Sequence, residues 1–297
     1  MKYVKAFETH NQYETYINGD GKILPNVSYC ENLREVHYNP YIDPRLIAKF
    51  NVVDDSDTTR IYGAKDYANV SVLDNFTKMV ADGVEISLTD LDENYGFYQL
   101  YEGEHTVKCT LADPTEIGYA VFCECSRLTS VIIPDGVTTI GNNAFYYCTE
   151  LTNVVIPNSV ITIDSQSFNN CSSLTNIVIP NSVTTIDLSA FSGCSGLTNI
   201  TIPDSVTTIV ESAFYECTGL TSVTIGNGVT TIGQEVFYGC TALTSVTIQA
   251  TTPPTLDDSN AFDSTNNCSI YVPSASVNAY KSATNWSDLS SRIQAIP

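Results

Sequence analysis

The chain has 297 residues and a formal net charge of −20, with 33 acidic residues against 13 basic ones. A chain of this length has room for two or three domains. Its acidic excess repels phosphate backbones and anionic lipid headgroups, so we expect neither nucleic acid nor a membrane surface as a partner. The sequence contains no apolar run of about 18 residues, so no membrane insertion is predicted.

Residues 1–42 form an N-terminal segment without a repeat. The segment is rich in Tyr and Asn and contains turn signals at 18–21 and 24–26. The start of the chain has no apolar h-region, so no signal peptide is seen in this sequence. We treat the segment as a candidate anchor.

Residues 43–106 have the pattern of a small β-domain. The stretch at 46–53 alternates apolar and polar residues, as in a strand with one buried face. Asp-Gly at 82–83 and Glu-Gly at 102–103 are two-residue turn signals between strand-like runs. They predict two hairpins within a small β-sandwich. The strand at 104–111 is expected to close the sandwich and to form the first rung of the next domain.

A 23-residue period occupies residues 107–272, where Leu, Phe and Cys each recur at the same spacing in six repeats. A fixed period of this length is typical of a solenoid, in which one short unit stacks on copies of itself. The recurring residues are Leu128, Leu151, Leu174, Leu197, Leu220 and Leu243; Phe122, Phe145, Phe168, Phe191, Phe214 and Phe237; and Cys125, Cys148, Cys171, Cys194, Cys217 and Cys240.

Each repeat is predicted to contain a short strand, a turn, a second short segment that returns to the core, and a brief helical turn. The stretch LTNIVI at 174–179 has the apolar spacing of a first strand with one face inward. Pro180 ends its ladder because proline has no N–H to donate. Asp187 can cap a short helical turn that carries Phe191 into the core.

Six of the ten cysteines occupy one repeating position. Disulfides between repeats would need a specific geometry at every step, so a column of buried free thiols is the favoured interpretation. The sequence has no CxxC pair, and all three His precede the repeats, so no metal or cofactor is predicted. Without histidine the repeats cannot hold a Ser–His–Asp arrangement, and no enzyme activity is predicted.

The repeats resemble the BspA-like leucine-rich repeat of bacteria, whose signature is LxxVxIPxxVxxIxxxAFxxC. IPDGV at 133–137, IPNSV at 156–160 and IPDSV at 202–206 carry the likeness. The tail that begins YVPSASVNAY at 271–280 is similar to the C-terminal cap of that family, so we assign the cap to 273–297. The resemblance implies a curved parallel-β solenoid in proteins of the bacterial surface that are linked to adhesion.

Two further resemblances concern the N-terminal part. Residues 43–106 resemble immunoglobulin-like modules that precede these repeats in gut-bacterial proteins, and 23–40 resemble a segment of gut Bacteroidetes and phage proteins. The predicted fold is therefore mainly β, with a small N-terminal Ig-like sandwich before a right-handed solenoid with short helical turns. The implied function is recognition or adhesion at the cell surface or outside the cell. The alternative is a virion component, such as a tail or receptor-binding protein, anchored through residues 1–42.

The predicted binding surface consists of outward side chains that recur in each repeat. Amides and hydroxyls on the strand suit hydrogen bonding to a protein or a glycan, but β-propensity alone also favours Thr there. Tyrosines that follow the recurring Phe are candidate interface anchors. The candidate binding residues are Asn153, Asn176, Asn199, Thr201, Thr224, Tyr146, Tyr215 and Tyr238. The sequence does not define an oligomeric state.

Overall fold

The computed structural model describes residues 45–52, 76–88, 100 and 102–297, and the backbone of the strand residues 2–6, 13–17, 59–60 and 97–98. The chain divides into two compact units, Met1–Pro44 and Arg45–Pro297. In the first unit, strands β1 (Lys2–Ala6) and β2 (Tyr13–Ile17) pair antiparallel. The rest of the candidate anchor at 1–42 lies outside the described residues.

The described part of the second unit is built from short strands and very little helix. Its strands are β3 (Leu46–Val52), β4 (Thr59–Arg60), β5 (Phe76–Ala81), β6 (Val84–Ile86), β7 (Phe97–Tyr98), β8 (Gly103–Leu111), β9 (Glu116–Ile117), β10 (Leu128–Ile132), β11 (Thr139–Ile140), β12 (Asn153–Val155), β13 (Thr162–Ile163), β14 (Thr185–Ile186), β15 (Asn199–Ile202), β16 (Thr208–Ile209), β17 (Ser222–Ile225), β18 (Thr231–Ile232), β19 (Ser245–Ile248), β20 (Thr255–Leu256), β21 (Ser269–Val272) and β22 (Ile293–Ala295). Its helical elements are the α-helix α1 (Val277–Ser282) and the 3-10 helices Ser259–Phe262, Ser274–Ser276 and Trp286–Leu289.

A six-stranded sheet in the order β12–β10–β3–β8–β5–β6 joins the N-terminal strands of this unit to the repeats. The turn at 82–83 connects β5 and β6 as an antiparallel hairpin, which confirms that prediction. The hairpin predicted across 102–103 is wrong, because β7 pairs with β4 while β8 lies between β3 and β5. Strand β3 runs antiparallel to β10, so residues 46–52, and not 104–111, pair with the first repeat strand.

The immunoglobulin-like sandwich stays a prediction. The described strands of 43–106 belong either to this six-stranded sheet or to the two-stranded pair of β4 and β7. Leu46, Ala48 and Phe50 alternate along β3 and are fully buried, so one face of the strand contributes to the core. Because β3 hydrogen-bonds to β10, the open edge that a first repeat would otherwise expose is covered.

The repeats stack as a solenoid with parallel strands on two sides. One sheet contains seven strands, β9, β11, β13, β14, β16, β18 and β20, and is continuous. In this sheet Thr139 pairs with Thr162, and Thr162 pairs with Thr185. Paired residues are therefore one sequence period apart. The other side of the solenoid carries β10 and β12, then residues 174–179, then β15, β17 and β19. We call the outer surface of these segments the strand face.

Each repeat has a run of tight turns in place of the predicted short helical turns. Cys148 N donates to Phe145 O within one repeat, whereas Phe145 N donates to Ser167 O in the next repeat. Alternate N–H groups are thus used between repeats, so the i→i−4 ladder of an α-helix cannot form. Positive φ angles of 58° at Asn143 and 53° at Ser189 also interrupt any right-handed helix.

A column of phenylalanine rings runs through the core. From Phe122 to Phe262, neighbouring rings have centroids 5.1 to 5.6 Å apart and planes within 25° of parallel. These separations fit offset stacking. Phe76 of β5 lies 6.3 Å from Phe122, and Trp286 lies 5.9 Å from Phe262, so an aromatic ring closes each end of the column. The predicted inward positions of the recurring Leu, Phe and Cys are confirmed, since all of them are buried.

In the cysteine column, the residues Cys148, Cys171, Cys194, Cys217 and Cys240 are buried free thiols, as predicted. Cys171 Sγ lies 3.2 Å from Phe145 O, and Cys194 Sγ lies 3.1 Å from Phe168 O, so these thiols donate to the preceding repeat. A thiol is a weak donor, and these contacts add modestly to the stacking. Burial raises the pKa of Cys194 to about 12, which keeps the thiol neutral at physiological pH.

The C-terminal residues pack on the last repeat. Strand β22 pairs parallel with β21. The hydroxyl of Tyr280 donates to Ala250 O at 2.8 Å, and Trp286 Nε1 donates to Pro254 O at 2.8 Å. Both aromatic side chains are fully buried. The Tyr280 hydroxyl and the Trp286 indole N–H therefore bind backbone carbonyls that would otherwise lack a partner at the end of the solenoid.

Candidate functional site

The strand face carries five of the predicted binding residues. Asn153 lies in β12, Asn199 and Thr201 in β15 and Thr224 in β17, whereas Asn176 lies in a segment without strand structure. The four residues other than Thr224 are exposed, and Thr224 is half-buried. Because side chains alternate along a strand and paired strands lie about 4.8 Å apart, these groups form columns along the solenoid.

The strand ladder is interrupted at residues 174–179. Leu174, Ile177 and Ile179 are buried as predicted, but the predicted first strand of this repeat is not formed. Within the part of the chain that the structure describes, no hydrogen bond joins the backbone of residues 176–179 to either neighbouring repeat. The backbone N–H and C=O groups of this segment therefore lack the inter-repeat partners that the paired strands have.

Proline weakens the ladder at the end of the first strand. Gly226 N donates to Ile202 O, and Gln249 N donates to Ile225 O, each at 2.9 Å. Pro180 occupies the equivalent position in its own repeat and has no N–H, so this bond is absent. Pro203 occupies the same position in the next repeat, so the equivalent bond to Ile179 O is absent as well.

A cleft of about 500 Å³ lies over the interruption and is lined by four consecutive repeats. Four of the predicted residues, Asn176, Asn199, Thr201 and Thr224, contribute to its lining. Asn153 belongs to the preceding repeat and does not. The volume falls within the range of roughly 300–1,000 Å³ that is usual for sites of small ligands.

Sequence reasoning missed several lining residues of different chemistry, among them Pro203, Asp204 and Gln249. Val178 is 71% exposed. Asp204 is the one charged residue of the lining, and its Oδ1 accepts a hydrogen bond of 2.8 Å from Asn227 N. The sequence signal that could have identified these residues was their position relative to the repeating Asn and Thr residues. No Lys, Arg or His is among the described residues that line the cleft.

The predicted tyrosines lie on the turns and not in the cleft. Tyr215 and Tyr238 stack with ring centroids 5.3 Å apart and planes 7° from parallel, while Tyr146 contacts Tyr147 at 4.7 Å. Desolvation and then the Glu216 carboxylate raise the pKa of Tyr215. The predicted residues thus divide between two separate surfaces, the strand face and the turn tyrosines.

Three further observations bear on the kinds of site in this part of the chain. Over the described ranges, no group of three His, Cys, Asp or Glu side chains is placed to hold a metal ion. Among the same residues, no helix has the length and apolarity required to cross a membrane. Asp164 and Asp187 do face each other on adjacent repeats, and desolvation followed by this repulsion raises the pKa of Asp164.

The repeats match the family described as "BspA type Leucine rich repeat region (6 copies)" over residues 115–244 and 189–291. The chain belongs to the BspA-type leucine-rich repeat family. The two matched ranges together cover more than half of the chain, and they include every residue that lines the cleft. No curated protein matches the chain.

Solved structures of other leucine-rich repeat proteins are similar to this BspA-type chain. A leucine-rich repeat protein from Bacteroides ovatus is 31% identical over 56% of this chain and 49% of its own, with a TM-score of 0.47. The T. pallidum protein TpLRR is 34% identical over 44% and 62%, with a TM-score of 0.44. A leucine rich cell surface protein from Faecalibacterium prausnitzii is 32% identical over 55% and 60%, with a TM-score of 0.38. The chain thus spans about half to three fifths of the length of these proteins.

Proposed function

We propose that this BspA-type protein is a recognition scaffold outside the cell or at its surface, and that it binds a protein or glycan along the strand face. Leucine-rich repeat proteins of this family are generally binding scaffolds without enzyme activity. The observation that carries the proposal is the cleft of about 500 Å³, because it gathers four outward polar residues from neighbouring repeats over an open backbone segment.

The surface location is supported by one of the similar proteins, which is described as a cell surface protein. The alternative of a virion component anchored through residues 1–42 gains no support from the three similar proteins, all of which are bacterial. The turn tyrosines are the second candidate surface, and the following experiment separates the two.

The test uses the full chain on arrays of glycans and of extracellular proteins. The triple variant Asn153→Lys, Asn176→Lys and Asn199→Lys places three bulky cations along one column of the strand face. The wild-type side chains are exposed, so we expect the melting temperature to change by no more than a few degrees while binding is lost. The matched control is the double variant Tyr215→Lys and Tyr238→Lys, which should retain binding.

Three results would count against this proposal. If the triple variant binds as tightly as wild type while the tyrosine variant does not, binding belongs to the turn tyrosines. If both variants bind as wild type does, the site lies outside both surfaces. If the wild-type protein binds nothing on either array, the recognition function itself is wrong.

A further inference from the structure

We infer that the cleft on the strand face binds a neutral, extended oligosaccharide that lies along the solenoid, with one sugar ring over each repeat. The inference rests on the proposed recognition function and specifies its ligand class. Three features of the cleft carry it: its repeat spacing, its uncharged polar lining and its open backbone segment.

The spacing of the repeats suits a linear polysaccharide. The cleft extends across four repeats, from Asn176 to Gln249, which at about 4.8 Å per strand gives a length of roughly 14 Å. Successive rings of a β-1,4-linked chain advance by nearly the same distance as one repeat. Successive rings are inverted, so equivalent hydroxyls return to the same side at every second ring and can meet equivalent side chains of every second repeat. An extended peptide advances by about 6.6 Å for each pair of residues and would fall out of register.

The chemistry of the lining favours a neutral polyhydroxylated ligand. Asn176, Asn199, Thr201 and Thr224 provide amide and hydroxyl groups, which both donate and accept hydrogen bonds. Asp204 provides a carboxylate that accepts from paired hydroxyls and repels acidic sugars. The described lining contains no Trp, Tyr, Arg or Lys, so it lacks both the usual anchors of protein interfaces and a cation for an anionic ligand.

The open backbone segment adds hydrogen-bonding groups to the same place. The backbone of residues 176–179 has no hydrogen bond to the neighbouring repeats, within the described chain, and these four residues line the cleft. Sugar hydroxyls can hydrogen-bond to those of these N–H and C=O groups that reach the surface of the cleft. Val178, which is 71% exposed, and Pro203 offer apolar surface to the C–H face of a ring.

Calorimetric titration of the full chain tests the ligand class. The neutral probes are cellohexaose, xylohexaose and mannohexaose, and the anionic comparator is a galacturonic acid hexamer. We expect at least one neutral hexamer to bind, and the acid hexamer to bind at least about tenfold more weakly. Affinity for the neutral series should rise from dimer to tetramer and then level off, because the cleft spans four repeats. Raising the salt concentration should change the affinity by less than about twofold, since no charge pair contributes.

A pair of variants tests the location. The double variant Asn176→Lys and Asn199→Lys removes two lining amides and should weaken binding of the same hexamer by at least about tenfold. The matched control is Asn153→Lys, which introduces the same side chain at the same position of the preceding repeat, outside the lining, and should stay within about twofold of wild type. Melting curves of both variants check that the fold is retained.

The outcomes separate this inference from the proposed function. If no neutral hexamer binds at concentrations up to about 10 mM, or if the acid hexamer binds better, the ligand class is wrong. Loss of binding in the control but not in the double variant would refute the cleft. In each of these cases the recognition function would still stand if the wild-type chain binds a protein on the array and the triple lysine variant does not. Absence of all array binding refutes both.

Discussion

Replacing Phe191 by Ala tests whether the phenylalanine column holds the solenoid together. Phe191 is fully buried, and its ring stacks on Phe168 and on Phe214 with centroids 5.3 Å away on each side. The substitution opens a gap in the middle of the column. The backbone of Phe191 keeps its hydrogen bond to Ala213 O at 2.8 Å, so the expected loss comes from packing.

The expected cost follows from that packing. Truncation of a buried Phe to Ala costs about 3–5 kcal/mol, a range that includes the cavity left behind. For a protein of this size each kcal/mol lowers the melting temperature by about 2–4 °C, so a decrease of roughly 6–20 °C is expected. Repeats of a solenoid contact only their neighbours, and the damage should therefore spread from the repeat of Phe191 to the repeats that contain Phe168 and Phe214.

Thermal melting by circular dichroism measures the total loss, and amide hydrogen exchange locates it. Phe191→Leu is the matched control, since it retains most of the apolar volume and should lose less stability. Ser192→Ala changes the next, half-buried residue and should stay within about 0.5 kcal/mol of wild type. A Phe191→Ala protein that melts within a degree or two of wild type would show that the stacked core is incorrectly assigned.

The remaining predictions concern the thiols and the serines of the turns. The buried thiols should react slowly with a thiol reagent in the native protein and rapidly after denaturation, because burial raises their pKa values. Because these thiols are free, a reductant should leave the melting temperature unchanged. A large drop in the melting temperature on reduction would instead indicate disulfides. Ser159→Ala should cost about 1 kcal/mol in urea unfolding because its hydroxyl donates to Val137 O at 2.7 Å. The equivalent Ser205→Ala should be neutral or stabilising, since its buried hydroxyl has no partner among the described residues; equal losses for the two variants would contradict this assignment.

The sequence alone determined the repeating core. Leu, Phe and Cys recur at a fixed spacing, and every repeat must bury the same positions against its neighbours, so burial could be predicted residue by residue. The hairpin at 82–83 was also predictable, because a two-residue Asp-Gly turn is a local signal. The outward direction of Asn176, Asn199 and Thr201 follows from the same alternation.

Only the tertiary structure decided how these units are joined and where their ladder opens. The pairing of β3 with β10 links segments about 80 residues apart in sequence, and no local pattern specifies such a partner. The interruption at 174–179 occurs in a repeat whose amino-acid pattern matches that of its neighbours. The sequence of one repeat does not reveal it, because it depends on hydrogen bonds with the repeats on both sides. The turns are not helical for the same reason, since their alternate N–H groups bind the next repeat. Side-chain burial is dictated by each repeat's own pattern, whereas backbone pairing is a property of two repeats together.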